Sequence, residues 1–131
     1  MATIWCISAP LFSHTDWGGF LKTAWALAAR GHDVTWVSEE SLRGAVERAG
    51  MAFAAVERTG WLWPPPSAPD VSAMPPAAAV MLRYRRALDT WMSEELVAAG
   101  VDCLLALAKS RGTPDLILTD PFLSAAALAA E

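Results

Sequence analysis

The chain has 131 residues, of which 54% are apolar and 18% are charged, and its net charge at pH 7 is −4. This length and composition suffice for one domain with a buried core and exclude general disorder. The acidic balance argues against nucleic acid as a partner, because binding phosphates requires clustered Lys and Arg. The tightest basic group, Arg83, Arg85 and Arg86, lies among helix-forming residues and is interpreted as a solvated helix face.

Both cysteines, Cys6 and Cys103, stand in apolar runs, which is typical of free thiols in a reducing cytoplasm. Their spacing indicates no metal site. No stretch approaches the ~20 apolar residues that a membrane-spanning helix needs. We therefore expect a cytoplasmic protein that binds no metal.

The first part of the chain alternates strand and helix patterns. Apolar runs that predict buried strands occupy residues 3–9, 33–38 and 51–56. Helices are predicted between them, at 19–30 and from Ser38 or Ser41 to Gly50. This order is typical of an α/β fold with a Rossmann-like parallel sheet flanked by helices.

The segment from Arg58 to Pro76 breaks this rhythm. It contains Trp61, Trp63 and a triple proline, so it can be neither a central strand nor a helix. It also exceeds the roughly 4–6 residues of a median loop, which favours a functional loop. Two tryptophans on a proline-stiffened loop are candidates for contact with an apolar ligand.

Helical patterns follow this loop. A long helix is predicted at 77–99, broken by Gly100, and a shorter one at 101–109. A fourth buried strand at 114–119 precedes a helix that begins at Ser124. That strand would leave one sheet edge uncovered. We therefore expect residues 1–131 to be an incomplete domain that can self-associate through the open edge. Four tryptophans are interpreted as core residues: Trp5, Trp25, Trp36 and Trp91.

Ligands of open parallel sheets bind outside the carboxyl ends of the strands. Two ionisable residues stand there, His14 after the first strand and Asp120 after the fourth. A loop His can act as a general base, and a carboxylate on its far nitrogen would fix the tautomer. The alternative is an exposed His and an Asp that caps the last helix, with Pro121 at its first position.

Gly18 and Gly19 open the first predicted helix, whose N-terminus could face a phosphate. The G-x-G-x-x-G fingerprint of dinucleotide sites is absent from this turn. Glu39 and Glu40 are therefore interpreted as acids at a helix start rather than as ribose ligands.

Two segments carry a resemblance to a known family. The run 27–37, with Arg30-Gly31-His32 followed by Val34, and the run 114–120, followed by an alanine-rich helix, resemble segments of GT-B glycosyltransferases of the UDP-glycosyltransferase-like type. The resemblance implies two Rossmann-like domains, an N-terminal one for the acceptor and a C-terminal one for the nucleotide sugar. Residues 1–131 would be a truncated N-terminal domain, inactive alone, and the C-terminal domain would be absent.

The resemblance also implies a function and its residues. A hexosyl group would move from a nucleotide-sugar donor, with no other cofactor, to a hydroxyl of a small lipophilic acceptor. In inverting members a first-loop His is the base, which corresponds to His14, and an Asp corresponding to Asp120 orients it. A gapless match places Asp16 there instead, so Asp16 is an alternative base. His32 is interpreted as structural. The aromatic candidates for acceptor contact are Phe12, Trp17, Trp61, Trp63 and Tyr84.

Two other functions remain open. One is a retaining GT-B transferase without a catalytic His, in which Gly18 and Gly19 approach the donor phosphate. The other is a non-catalytic Rossmann-like binding module.

Overall fold

A computed structural model describes residues 1–11, 13 and 19–131. In this part of the chain the strands are β1 (Thr3–Ile7), β2 (Asp33–Glu39), β3 (Ala52–Val56) and β4 (Leu116–Thr119). The helices are α1 (Phe20–Ala29), α2 (Arg43–Arg48), α3 (Pro76–Trp91), α4 (Glu94–Arg111) and α5 (Ser124–Ala129). A 3-10 turn at Glu40–Leu42 precedes α2.

The strands form one parallel sheet in the order β3-β2-β1-β4. β1 is central and pairs with both β2 and β4. In the register of the sheet, Ile7 at the end of β1 lies opposite Val37 and Thr119. The chain therefore leaves β1 and β4 at neighbouring positions. This arrangement confirms the predicted Rossmann-like α/β class.

Side-chain alternation along the strands gives the sheet two apolar faces. Ile4, Cys6 and Trp36 belong to the cluster that includes Ala24 of α1 and Val46 of α2. The opposite face packs on α4 and α5 through Trp5, Ile7, Val37, Leu104 and Leu123. Helices on both faces are what a parallel sheet requires, because its strands expose no polar side.

The prediction of one helix at 77–99 that Gly100 breaks is wrong. α3 ends at Trp91 and α4 runs from Glu94 through Gly100 to Arg111. The break falls at Ser93, whose backbone is extended with φ −60° and ψ 127°. Gly100 is instead a contact residue, since an added Cβ would lie 2.6 Å from the Gly60 nitrogen. The glycine permits close packing inside a helix rather than ending it.

The tryptophan predictions have a mixed outcome. Trp5 and Trp36 are buried, and Trp91 is half-buried against the core, as predicted. The core prediction for Trp25 is wrong, because its side chain is 43% exposed. α1 presents its neighbour Ala24 to the sheet, while the Trp25 Nε1–H donates to the Ala49 carbonyl at 2.9 Å. The indole therefore joins α1 to the end of α2 at the surface.

Three smaller predictions concern single residues. The Ala2 N–H donates to His32 Nδ1 at 3.2 Å, which confirms a structural role for His32. Cys6 and Cys103 are unpaired, and burial raises the pKa of the Cys6 thiol to about 11. Within the described residues, none of the helices has both the length and the apolar character needed to span a bilayer.

Candidate functional site

The carboxyl edge of the sheet collects polar groups from three strands. Ser8 follows β1, Glu39 ends β2, and Thr119 and Asp120 follow one another at the end of β4. Five predicted site residues lie outside the described residues: Phe12, His14, Asp16, Trp17 and Gly18. Ser8 begins the segment that carries them, and it leaves the sheet beside Asp120 because Ile7 pairs with Thr119.

A buried hydrogen-bond network fixes the start of that segment. The Trp36 Nε1–H donates to Ser8 Oγ at 3.0 Å, and the Ser38 hydroxyl donates to the Ser8 carbonyl at 2.8 Å. The Ser8 N–H donates to the Val37 carbonyl at 3.1 Å. Ser8 and Ser38 have no exposed surface, so both side chains satisfy their hydrogen bonds inside the protein. The direction in which the chain leaves β1 is therefore well determined.

Glu39 joins the end of β2 to the loop after β3. Its Oε1 accepts hydrogen bonds from the Thr59 N–H and the Thr59 hydroxyl, both at 3.2 Å. Burial raises the pKa of the Glu39 carboxyl, and the Thr59 hydrogen bonds and the charge of Arg58 oppose that rise. The interpretation as a helix-start acid fits Glu40, which opens the 3-10 turn. The same interpretation does not include the hydrogen bonds between Glu39 and Thr59, because no local sequence pattern indicates them.

Asp120 caps a turn rather than a helix. Its Oδ1 accepts from the Phe122 N–H at 2.9 Å, and its carbonyl accepts from the Leu123 N–H at 3.2 Å. α5 begins only at Ser124, so the interpretation of Asp120 as the cap of that helix, with Pro121 at its first position, is wrong. Leu123 occupies the cap position without a side-chain hydrogen bond, and its side chain is buried in the core. The Oδ2 atom of Asp120 is shielded from solvent.

Thr119 adds a second polar group at this edge. Its Oγ1 is buried and has no hydrogen-bond partner among the described residues. A buried hydroxyl without a partner is costly, so such groups mark places where a further polar contact is expected. Thr119 was not predicted as a site residue, since the sequence shows only the end of an apolar strand there.

Three aromatic side chains form a cluster over the Asp120 turn. Trp61 stacks on Trp91 with ring centroids 5.4 Å apart and an interplanar angle of 19°. Trp91 in turn contacts Phe122 with centroids 5.7 Å apart. The Trp61 Nε1–H donates to the Phe122 carbonyl at 3.4 Å. The cluster therefore joins the loop after β3 to the turn that holds Asp120.

The other predicted acceptor contacts are more open to solvent. Trp61 is only 6% exposed, whereas Trp63 is 49% and Tyr84 65% exposed. Tyr84 lies on α3, in which Thr90 is the buried residue. Exposed apolar side chains on or near this helix are Met74, Val80, Met81, Tyr84, Leu88 and Met92. A role of these residues in acceptor binding stays a prediction.

Two cavities flank this region. One of about 310 Å³ lies between the loop after β3 and α3, and is lined by Leu62, Pro66 and Arg86 among others. The Arg86 side chain donates to the Pro66 carbonyl, so this arginine fastens the loop to α3. Another cavity, of about 460 Å³, lies between α4 and α5 and is mostly apolar. Both volumes fall in the range of small-molecule pockets.

Gly19 has a left-handed backbone, with φ 76°, at the N-terminus of α1. Among the described residues, no atom lies within 4 Å of a Cβ built at this position. Its role toward a donor phosphate stays a prediction. Among the described residues, no three His, Cys, Asp or Glu side chains gather as a metal-ligand set.

No protein-family model and no curated protein matches the chain. Several solved structures do match the chain. The glycosyltransferase SsfS6 of Streptomyces sp. SF2575 matches 99% of the chain with a TM-score of 0.65 and 25% identity, and the match covers 36% of SsfS6. A second structure of SsfS6, in complex with thymidine diphosphate, matches with the same score and identity.

Two further solved structures have the same fold. The glycotransferase of kitacinnamycin matches with a TM-score of 0.61 and 22% identity, and 27% of it is covered. The glycosyltransferase VinC, in complex with dTDP, matches with a TM-score of 0.57 and 22% identity, and 31% of it is covered. The chain thus spans about a third of the length of these proteins. It has the Rossmann-like fold of a partial GT-B glycosyltransferase domain.

Proposed function

We propose that the chain is the acceptor-binding domain of an inverting glycosyltransferase, which moves a sugar from a nucleotide-sugar donor to a hydroxyl of a small lipophilic acceptor. His14 is the proposed general base, Asp120 orients it, and Asp16 is the alternative base. The observation that carries this proposal is the parallel pairing of β1 with β4. Because of it, Asp120 follows β4 next to Ser8, the residue after β1 from which the sequence continues to His14.

The proposed reaction is a single displacement. The acceptor oxygen attacks the anomeric carbon of the donor, the bond from that carbon to the donor phosphate oxygen breaks, and a nucleoside diphosphate leaves. His14 takes the hydroxyl proton as the new bond forms. The Asp120 carboxylate holds the imidazole in the required tautomer and stabilises the imidazolium. The shielded Oδ2 of Asp120 supports this role, since a charge interaction is stronger away from bulk water.

The exposed apolar face of α3 supports a lipophilic acceptor. Met81, Tyr84 and Leu88 are each more than half exposed on this helix. Monomeric proteins rarely leave such a row of large apolar side chains uncovered without a binding role. Methionine side chains adapt to ligands of irregular shape. We propose that this face and Trp63 contact the acceptor, and we include Phe12 and Trp17 as further proposed contacts.

The donor is proposed to bind through a second domain outside residues 1–131, so these residues alone are expected to be inactive. Structures of SsfS6 and VinC in complex with thymidine diphosphate support a nucleoside diphosphate donor. Gly18 and Gly19 are proposed to approach the donor phosphate at the N-terminus of α1. A cytoplasmic location is also proposed, and the two unpaired thiols support it.

The base assignment is tested by replacement of His14 in the complete protein. His14→Ala should lower kcat for sugar transfer by about 10²–10⁴-fold, because general base catalysis contributes that much. Ser13→Ala changes the neighbouring side chain without removing a base, and kcat should change little. Full activity of His14→Ala would refute the assignment, and a loss confined to Asp16→Asn would transfer the role to Asp16.

A retaining transferase is a second candidate, and the left-handed backbone of Gly19 at the N-terminus of α1 favours it, because a glycine lets a donor phosphate approach the backbone closely. The anomeric configuration of the product separates the two mechanisms. Inversion supports the His14 mechanism, whereas retention supports the alternative. Binding of an acceptor without any transfer would indicate a binding module.

A further inference from the structure

We propose that Trp61 is a positioning residue that holds the Asp120 carboxylate in place, rather than a residue whose main contact is the acceptor. This inference rests on the proposed function, in which Asp120 orients the base. Trp61 lies on the loop after β3, 59 positions before Asp120 in the sequence. Only the tertiary structure brings the two together.

The first step is the burial of the indole. Trp61 is 6% exposed, so little of its surface is free to contact a ligand. Trp63, two residues later, is 49% exposed and differs sharply in this respect. Stacking on Trp91 explains the difference, since the two rings lie 5.4 Å apart and nearly parallel. Such aromatic pairs stabilise a fold beyond the burial of their area.

The second step is the anchoring of the loop around Trp61. On one side, a Cβ on Gly100 of α4 would lie 2.6 Å from the Gly60 nitrogen, and a Cβ on Gly60 would lie 2.9 Å from the Ala125 Cβ, so neither position has room for a side chain. On the other side, the Leu62 N–H donates to the Thr90 carbonyl of α3 at 3.1 Å. Trp61 is therefore held between two helices. A side chain that is held in this way restrains the positions of the residues that it contacts.

The third step is a short chain of contacts from the indole to the carboxylate. The Trp61 Nε1–H donates to the Phe122 carbonyl, and the Phe122 N–H donates to Asp120 Oδ1 at 2.9 Å. Trp91 also contacts the Phe122 ring. Both peptide groups of Phe122 and its side chain are thus restrained. The orientation of the Asp120 carboxylate follows from that of Phe122, since Oδ1 accepts the Phe122 amide.

The test replaces Trp61 by Phe in the complete protein. Trp61→Phe keeps an aromatic ring for Trp91 and removes the indole N–H donor. A net contribution of ~1 kcal/mol from one hydrogen bond corresponds to about a fivefold loss of kcat. We expect that loss with KM for the acceptor unchanged within about twofold. An increase in acceptor KM at constant kcat would overturn the proposal and assign Trp61 to acceptor contact.

Trp25→Phe is the matched control. Trp25 also donates its indole N–H to a backbone carbonyl, that of Ala49 at 2.9 Å, but on α1 and away from the Asp120 turn. It makes the same chemical change and loses the same type of hydrogen bond. We expect Trp25→Phe to leave kcat unchanged. An equal loss of kcat in both variants would overturn a specific positioning role.

A second measurement keeps the test independent of activity. Hydrogen–deuterium exchange, followed by mass spectrometry on peptides that cover residues 119–124, monitors the Phe122 and Leu123 amides of the turn. Trp61→Phe should speed their exchange by about fivefold, whereas Trp25→Phe should not. Unchanged exchange in Trp61→Phe overturns the positioning role, even if the protein transfers no sugar. If exchange changes but Asp120→Asn retains full transfer activity, the positioning of the turn is supported and the proposed role of Asp120 fails.

Discussion

Residues 1–56 and residues 57–131 achieve their packing in different ways. In the first part each strand pairs with the next one in sequence, and short helices cover one face of the sheet. In the second part β4 returns from far along the chain to pair with β1. The connection between them includes a long proline-rich loop and a helix, α3, that leaves most of its apolar side chains exposed.

This difference determines how each part is stabilised. The first part depends on continuous apolar runs, in which exchange for an apolar side chain of similar volume is tolerated. The second part depends on a few close contacts between distant segments, such as Gly60 with Gly100 and Trp61 with Trp91. The proposed catalytic carboxylate lies in the second part. We therefore expect substitutions there to have larger and more specific effects.

The largest expected effect on stability comes from Gly100. A Cβ at this position would lie 2.6 Å from the Gly60 nitrogen and 2.9 Å from the Ala125 Cβ. Gly100→Ala should destabilise the fold by about 1–3 kcal/mol, because the backbone of the loop must move. Urea unfolding followed by tryptophan fluorescence measures the change in the free energy of unfolding.

Gly44→Ala is the control for this substitution in the first part. Gly44 is exposed within α2, and a Cβ there would meet only the flexible end of Arg48 at 3.2 Å. The replacement should be neutral or stabilise α2 by up to about 1 kcal/mol. Equal destabilisation by the two variants would contradict the contrast between the two parts.

An intermediate effect is expected at the open edge of β4. Leu116 is 47% exposed on this strand, whose outer backbone groups pair with no other described strand. We expect residues 1–131 to associate through this edge, and Leu116→Lys to weaken that association by about tenfold, because a charged edge opposes strand pairing. Sedimentation velocity measures the dissociation constant.

Leu128→Lys is the control for the edge, since Leu128 is 52% exposed on α5 and does not belong to the sheet. It should leave association unchanged. Equal weakening by both variants would indicate a general effect of charge rather than pairing of the edge strand.

The smallest effect is expected at Glu39, which connects the two parts. Burial raises the pKa of its carboxyl above 4.5 in the folded protein, so the unfolded chain ionises at lower pH than the folded one. Stability contributed by Glu39 is therefore lost as the pH rises from about 4.5 through the folded pKa. Glu39→Gln removes this loss and can still accept a hydrogen bond from Thr59 at its amide oxygen.

Glu39→Gln should accordingly be the more stable protein at pH 7 and equal to the original below pH ~4. Thermal melting at several pH values measures the difference. A difference that does not change with pH would show that the charge of Glu39 is not its cause.

Several features of the fold could be predicted from sequence because they depend on local patterns. The apolar runs at residues 3–9, 33–38 and 51–56 predict strands that the structure confirms within one or two residues at most boundaries. Asp120 could be selected as a candidate because position alone brings it to the carboxyl end of a strand. The role of Gly100 could not be predicted from sequence, because a glycine that ends a helix and a glycine that allows close packing look alike in sequence.

The sequence alone thus determined the α/β class, the strands and the edge at which a ligand is expected, because hydrophobic periodicity is a local property. The tertiary structure decided which distant residues meet. It made Trp61 a buried partner of Trp91, left Trp25 at the surface, and set the Asp120 turn under an aromatic cluster. These outcomes depend on the return of β4 to β1 and on close packing of α4, which no single segment encodes.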